Sequence, residues 1–95
     1  MNDPETFRAQ LDTIFEVEGA PGPIPLRLVE VADEGAARGV RQFSLFFHGP
    51  ADRVLPQNTY ALRHGALGSL ALFIVPIVGS TREHVLYQAC FSVTA

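Results

Sequence analysis

The chain has 95 residues, 47% of them hydrophobic and 18% charged, with a formal net charge of −3. At about 100 to 200 residues per domain this is one small globular unit that buries roughly 65% of its unfolded surface, and neither a disordered nor a fibrous chain. All seven basic residues are arginine and none cluster, which excludes a concentrated nucleic-acid footprint, and the single cysteine excludes an internal disulfide framework.

The first five residues are acidic and lack a basic start followed by an apolar stretch. We therefore expect cytoplasmic synthesis without a signal peptide, and leave open later incorporation into an extracellular assembly. Asp3 before Pro4 is a strong helix start, because the carboxylate caps free amides and proline suits the first helical position. Phe7, Leu11 and Ile14 then fall on one helical stripe, predicting a short helix over 4–11 that closes over a sheet edge or a barrel end.

From here the period changes to two. Phe15 and Val17 alternate with Glu16 and Glu18, predicting a strand over about 13–18, and the glycines and prolines of 19–25 form a turn. The second strand, 26–31, shifts its apolar face from Leu26 and Leu28 to Val29 and Val31, which a bulge near Leu28 would produce. Residues 32–40, with Gly35, Arg38 and Gly39, read as a long connection that is mobile or functional. The third strand, 41–48, places Phe43, Leu45 and Phe47 on one face. Phe46 sits on the other face with Gln42, Ser44 and His48, so that face is expected to be partly covered. Gly49-Pro50 should end this strand, and the loop to Gln57 carries Asp52, Arg53 and Leu55.

A fourth strand is expected over 58–63, with Tyr60 and Leu62 inward. The fifth, 67–76, is apolar on both faces and should be central. Its length is short of the roughly 20 residues a membrane helix requires, and Pro76 breaks a helix, so no membrane segment is expected. After a turn at Gly79–Arg82, the sixth strand (84–93) alternates Val85, Tyr87, Ala89, Phe91 and Val93 with a wet face of Leu86, Gln88, Cys90 and Ser92. Short connections require antiparallel pairing, since parallel crossovers need a dozen or more residues. The expected fold is mainly β: a six-stranded antiparallel barrel or sandwich with a short N-terminal helix, one domain over 1–95.

Charge is segregated along the chain. Residues 1–34 carry a net −6 and residues 35–95 a net +3. The two parts can neutralise each other inside one domain, or oppositely charged faces of neighbouring subunits can meet.

The motifs Phe43-Ser44-Leu45-Phe46-Phe47-His48-Gly49-Pro50, Gln57-Asn58-Thr59-Tyr60, His64, Leu72-Phe73-Ile74-Val75-Pro76 and Tyr87-Gln88-Ala89-Cys90-Phe91 resemble, in order and spacing, a family of short bacterial proteins of unknown function. Phe7, Leu11 and Phe15 fit its opening, and His84 and Leu86 depart from its more polar lead-in to the last strand. The resemblance brings no catalytic residues. It implies a genomic setting near phage-tail-like fibre proteins with collar domains, and hence a small structural or accessory component of such a fibre.

Chemistry is sparse. His48, His64 and His84 are 16 and 20 residues apart, with no metal-ligand spacing, and each falls at a strand end where imidazole commonly bonds a loop carbonyl. No metal or other cofactor is expected. Ser44, His48 and Asp52 contain the residue types of a triad, but Ser44 and His48 lie about 13 Å apart along one strand, too far for a nucleophile and its base. Cys90 reads as a small half-buried filler, and no glycine segment precedes a helix with a lysine to hold phosphate. The aromatic residues suit a filled core. The expectation is a non-enzymatic structural or accessory module that binds a protein partner or itself, and neither nucleic acid nor membrane. Arg38, Arg41, Phe46, Arg53 and Leu86 are its candidate contacts. For Phe46 and Leu86 the competing reading is packing under the N-terminal helix, and for the arginines a solvated rim. The alternative function is a small-ligand-binding barrel or minor enzyme using His48 or His64.

Overall fold

The computed structural model describes residues 3–19, 22, 24–77, 79 and 81–94. Asp3 Oδ1 accepts the Thr6 N–H at 2.8 Å and Pro4 occupies the first turn of α1 (Pro4–Arg8), so the cap forms as its sequence dictates. The helix is shorter than the apolar stripe suggested. Asp12 adopts a left-handed backbone (φ 67°) and its N–H donates to Leu28 O, which turns the chain into β1 (Ile14–Val17). That reversal breaks the helical period: Phe7 is fully buried, whereas Leu11 and Ile14 are exposed.

Five further strands follow: β2 (Pro25–Ala37), β3 (Val40–Pro50), β4 (Asn58–His64), β5 (Gly68–Pro76) and β6 (His84–Thr94). They close an antiparallel barrel in the order β1-β2-β3-β6-β5-β4, sealed where Glu16 and Val17 pair with Arg63 and Leu62. Barrel rather than sandwich is thus the outcome. The expected bulge lies between Leu28 and Glu30. The 19–25 turn and the Gly79–Arg82 turn fall partly on residues outside those described.

Three expectations are corrected by the pairing. Residues 32–37 are strand, joined to β3 by the two-residue turn Arg38-Gly39, both with positive φ (54° and 76°), the backbone that suits a tight hairpin. β3 ends at Gly49-Pro50 but includes them, running two residues past the expected 48, because Pro50 still pairs with His84. No strand is central in a closed barrel, and β5 turns Leu72 and Ile74 inward while Ala71 and Phe73 face solvent.

Phe15, Leu26, Leu28, Phe43, Leu45, Phe47, Leu62, Ile74 and Tyr87 all have zero exposure and fill the interior. Each such side chain contributes about 1.5–3 kcal/mol relative to exposure. Gly49 is glycine because a Cβ there would sit 2.8 Å from both Leu26 and Tyr87. At that end of the barrel the Tyr87 hydroxyl accepts the Leu55 N–H at 2.8 Å and ties down the 51–57 loop.

At the other end β2, β3 and β6 run on together past the barrel wall. Phe43 and Phe91 are cross-strand partners stacked at 4.7 Å, and Phe7 of α1 closes over them at 6.0 and 5.4 Å. Among the described residues no helix is long and apolar enough to cross a membrane.

Candidate functional site

The outer barrel wall brings Ile14, Arg27, His48 and Leu86 into one cross-strand row. Alternation along β2 and β3 turns Arg27 and His48 outward, since Leu26, Leu28 and Phe47 take the core positions. Pairing of Pro50 with His84 then carries the His84 ring onto His48, with centroids 3.7 Å apart and planes 20° apart. A cleft of about 280 Å³ opens beside the pair, lined by Ile14, Pro25, Arg27, His48, Glu83 and His84.

His48 Nδ1 is buried and has no hydrogen-bond partner. Burial, with added repulsion from His84 and Arg27, holds this imidazole below its ordinary pKa. The stacked rings lie in near-parallel planes, so their in-plane lone pairs do not converge on one point as ligation of a metal by both would require. No group of three or more potential metal ligands occurs among the described residues.

His64 is built differently. Its Nδ1 accepts the N–H groups of Ala66 and Leu67 at 3.0 and 3.2 Å, which assigns the ring proton to Nε2. Nε2–H donates to Thr13 Oγ1 at 2.8 Å, and the Thr13 hydroxyl donates to Gln10 O at 2.6 Å. The ring also packs 4.3 Å from Phe15. Burial holds its pKa below the ordinary value, and both nitrogens are engaged. This imidazole braces the β4–β5 turn against the chain entering β1, beside the two-pair β1–β4 ladder. It lies on the border of a shallow cleft of about 590 Å³ with Ile14, Glu16, Arg63, Gly68 and Ser69. Neither His48 nor His64 shows the bond to a loop carbonyl expected of strand-end histidines.

Ser44 is only 1% exposed although it points away from the core. Its hydroxyl donates to Glu34 at 2.9 Å, accepts from Gln88 Nε2 at 3.1 Å and lies 3.6 Å from Cys90 Sγ. The serine is thus engaged with Glu34, Gln88 and Cys90, and Asp52 is an exposed loop residue. Reading 32–40 as a connection hid this cluster, because Glu34 reaches Ser44 only when β2 continues as strand. Cys90 is exposed rather than half-buried.

The candidate contact residues are dispersed. Arg38 lies exposed at the hairpin tip. Arg41 points to the inner side of the extension, where it pairs with Asp33 and with Glu5 of α1 at 3.3 Å. Its guanidinium holds the Asp33 carboxyl below the usual carboxylate range. Arg53 sits in the opposite loop, its guanidinium close to Gly22. Phe46 and Leu86 are half-buried diagonal neighbours on the outer face of β3 and β6. They do not pack under the helix, which covers the opposite face at Phe43 and Phe91. Leu86 is instead approached by the turn at Gly79, where a Cβ would come within 2.8 Å of it.

Charge segregation is resolved partly inside the domain. Arg41 and Arg63, from the basic part, pair with Glu5, Asp33 and Glu18 of the acidic part.

Several strands have no strand partner along part of one edge among the described residues. The β1–β2 ladder ends at Arg27, leaving the outer edge of β2 free over 30–37. The β5–β6 ladder consists of Val75↔Gln88 and Pro76↔Tyr87, after which β5 follows β4 and β6 follows β3, leaving β5 free over 68–74 and β6 free over 89–94.

No curated protein and no solved structure matches the chain. A family model described as Domain of unknown function (DUF6916) matches residues 3–91. With that match spanning nearly the whole fold, the helix, the first five strands and most of β6 included, the chain belongs to the DUF6916 family.

Proposed function

We propose that the protein is a non-enzymatic structural or accessory module that binds other protein chains, in or beside a phage-tail-like fibre. The observation that carries this reading is the filled barrel: the inward positions are taken by large apolar side chains at zero exposure, so recognition falls to the outer surface and to free strand edges. The fibre setting rests on the Phe-Ser-Leu, Gly-Pro and Tyr-x-x-x-Phe pattern and what its resemblance implies. Purification of the tagged protein from its native cell, followed by reconstitution with each purified co-eluting protein, tests the reading. A stoichiometric complex supports it. A protein that stays monomeric at high concentration and reconstitutes with nothing refutes it.

A second reading, a small-ligand binder, is favoured by one observation: the unpartnered His48 Nδ1 beside the cleft of Arg27 and His84. Inorganic phosphate or simple carboxylates that raise the melting temperature of the wild type but not of Arg27→Gln would support it. Equal responses of the two proteins would remove it.

A further inference from the structure

We propose that the cleft of Arg27, His48 and His84 is a proton-gated site for a small oxyanion, which enters only when the stacked imidazoles take up protons. The inference deepens the ligand-binding reading above, rests on it, and names the regulation of that site.

The gate lies in the stack. A charged imidazole carries a proton on each ring nitrogen, so a charged His48 would bury an Nδ1–H that has no acceptor. A neutral ring leaves only a lone pair there. The His84 ring lies 3.7 Å away in a nearly parallel plane, and a second positive charge at that distance repels the first, as does Arg27 beside it on β2. The stacked arrangement therefore suits the neutral His48, in line with its lowered pKa. Protonation has to turn the ring out of the stack, and the cleft that both rings line is the open space beside them.

Charge decides when an anion can follow. Arg27 faces the pair from β2, and its guanidinium lies 3.6 Å from Asp12, in the turn before β1. Glu83, next to His84, lines the same cleft, while β1 adds Ile14 and the flanking segments Pro25 and Pro50, all uncharged. With both imidazoles neutral, Arg27, Asp12 and Glu83 sum to −1, and an anion gains nothing by entering. With both imidazoles charged the same groups sum to +1, around a cavity of about 280 Å³. That volume falls below the range of drug-sized ligands and suits a small ion. Two imidazolium rings and a guanidinium then offer charge-assisted donors to its oxygens. By reciprocity, an anion held there must tighten the grip of the imidazoles on their protons.

The test is an NMR titration of the full chain with sulfate at about pH 7.5 and about pH 5.5, at an ionic strength held constant with sodium chloride. Sulfate keeps its charge across this range, so any change in affinity belongs to the protein. The expected result is a gain in affinity of about tenfold on acidification, with shifts at Ile14, Arg27, His48 and His84. Sulfate should also raise the pH midpoints of both imidazoles. His48→Gln combined with His84→Gln should bind as weakly at pH 5.5 as at pH 7.5, with an unchanged circular dichroism spectrum. His84→Phe keeps an aromatic face on His48, and with it the packing, and should retain a smaller gain. Formate is the second probe, and a gated response to either ion supports the proposal while the pair separates tetrahedral oxyanions from carboxylates. Equal affinity at both pH values, with shifts confined to the cleft, overturns the gate and leaves the ligand-binding reading intact. A gain on acidification that the double variant keeps also overturns the gate, because it then belongs to the protein surface at large. No binding of either ion at either pH ends both.

Discussion

Replacing His64 by alanine tests a buried polar side chain that ties three segments together. The ring accepts two backbone N–H groups from the β4–β5 turn, donates to Thr13 and packs on Phe15, with only 6% of the residue exposed. Alanine leaves a cavity against Phe15 and removes the brace. Ala66 is exposed, so its N–H can turn to water, whereas the Thr13 bond and the ring packing have no substitute. Lost packing and one or two hydrogen bonds together cost about 2–4 kcal/mol. For a domain of this size each kcal/mol moves the melting temperature by about 4–8 °C.

The same residue should give stability a pH dependence whose sign follows from its lowered pKa. Between the folded pKa and the ordinary value near 6.5, the unfolded chain binds a proton that the native His64 does not. Stability therefore rises with pH in that window, by at most about 1.4 kcal/mol per unit for one group. The contribution is complete above about pH 6.5 and lost as pH falls through the folded pKa. His48, also lowered, acts in the same direction, so removing His64 flattens the dependence without abolishing it. Urea titrations of wild type and His64→Ala at pH 7.5 and pH 5 measure both effects. A loss below about 1 kcal/mol at pH 7.5, or the same loss at both pH values, would refute the role assigned to this imidazole.

Tyr87→Phe leaves the buried Leu55 N–H without its acceptor and should cost about 1–3 kcal/mol by denaturant titration, with faster exchange at the Leu55 amide. Gly49→Ala drives a methyl against Leu26 and Tyr87 at 2.8 Å, and calorimetry should show a loss of about 1–3 kcal/mol from overpacking. Phe7→Ala empties the site over Phe43 and Phe91 and should cost about 3 kcal/mol, with NMR shifts concentrated at the β2-β3-β6 extension and the Tyr87 end unchanged.

Much of the wall was legible locally. Alternation gave the inward faces of β3 and β6, the face shift at Leu28 located the bulge, and Asp3-Pro4 located the helix start, because each depends on residues a few positions apart. Where local signals conflicted with pairing, pairing prevailed. Asp33, Glu34 and Gly35 carry loop chemistry, yet β3 offers a ladder and a two-residue turn at Arg38-Gly39, so the segment extends as strand. Leu11 and Ile14 fit a helical stripe, yet Asp12 reverses the chain to meet Leu28.

By itself, then, the sequence determined a mainly β domain with a filled apolar interior, six strands and one capped helix. Tertiary structure alone decided closure through β1 and β4, the use of Arg41 inside the molecule, the stack of His48 on His84, the bracing of Thr13 by His64 and the free edge of β6. These depend on register between segments tens of residues apart. A one-residue slip in any ladder would turn the same side chains to the other face, and nothing within a single strand records which neighbour it will meet.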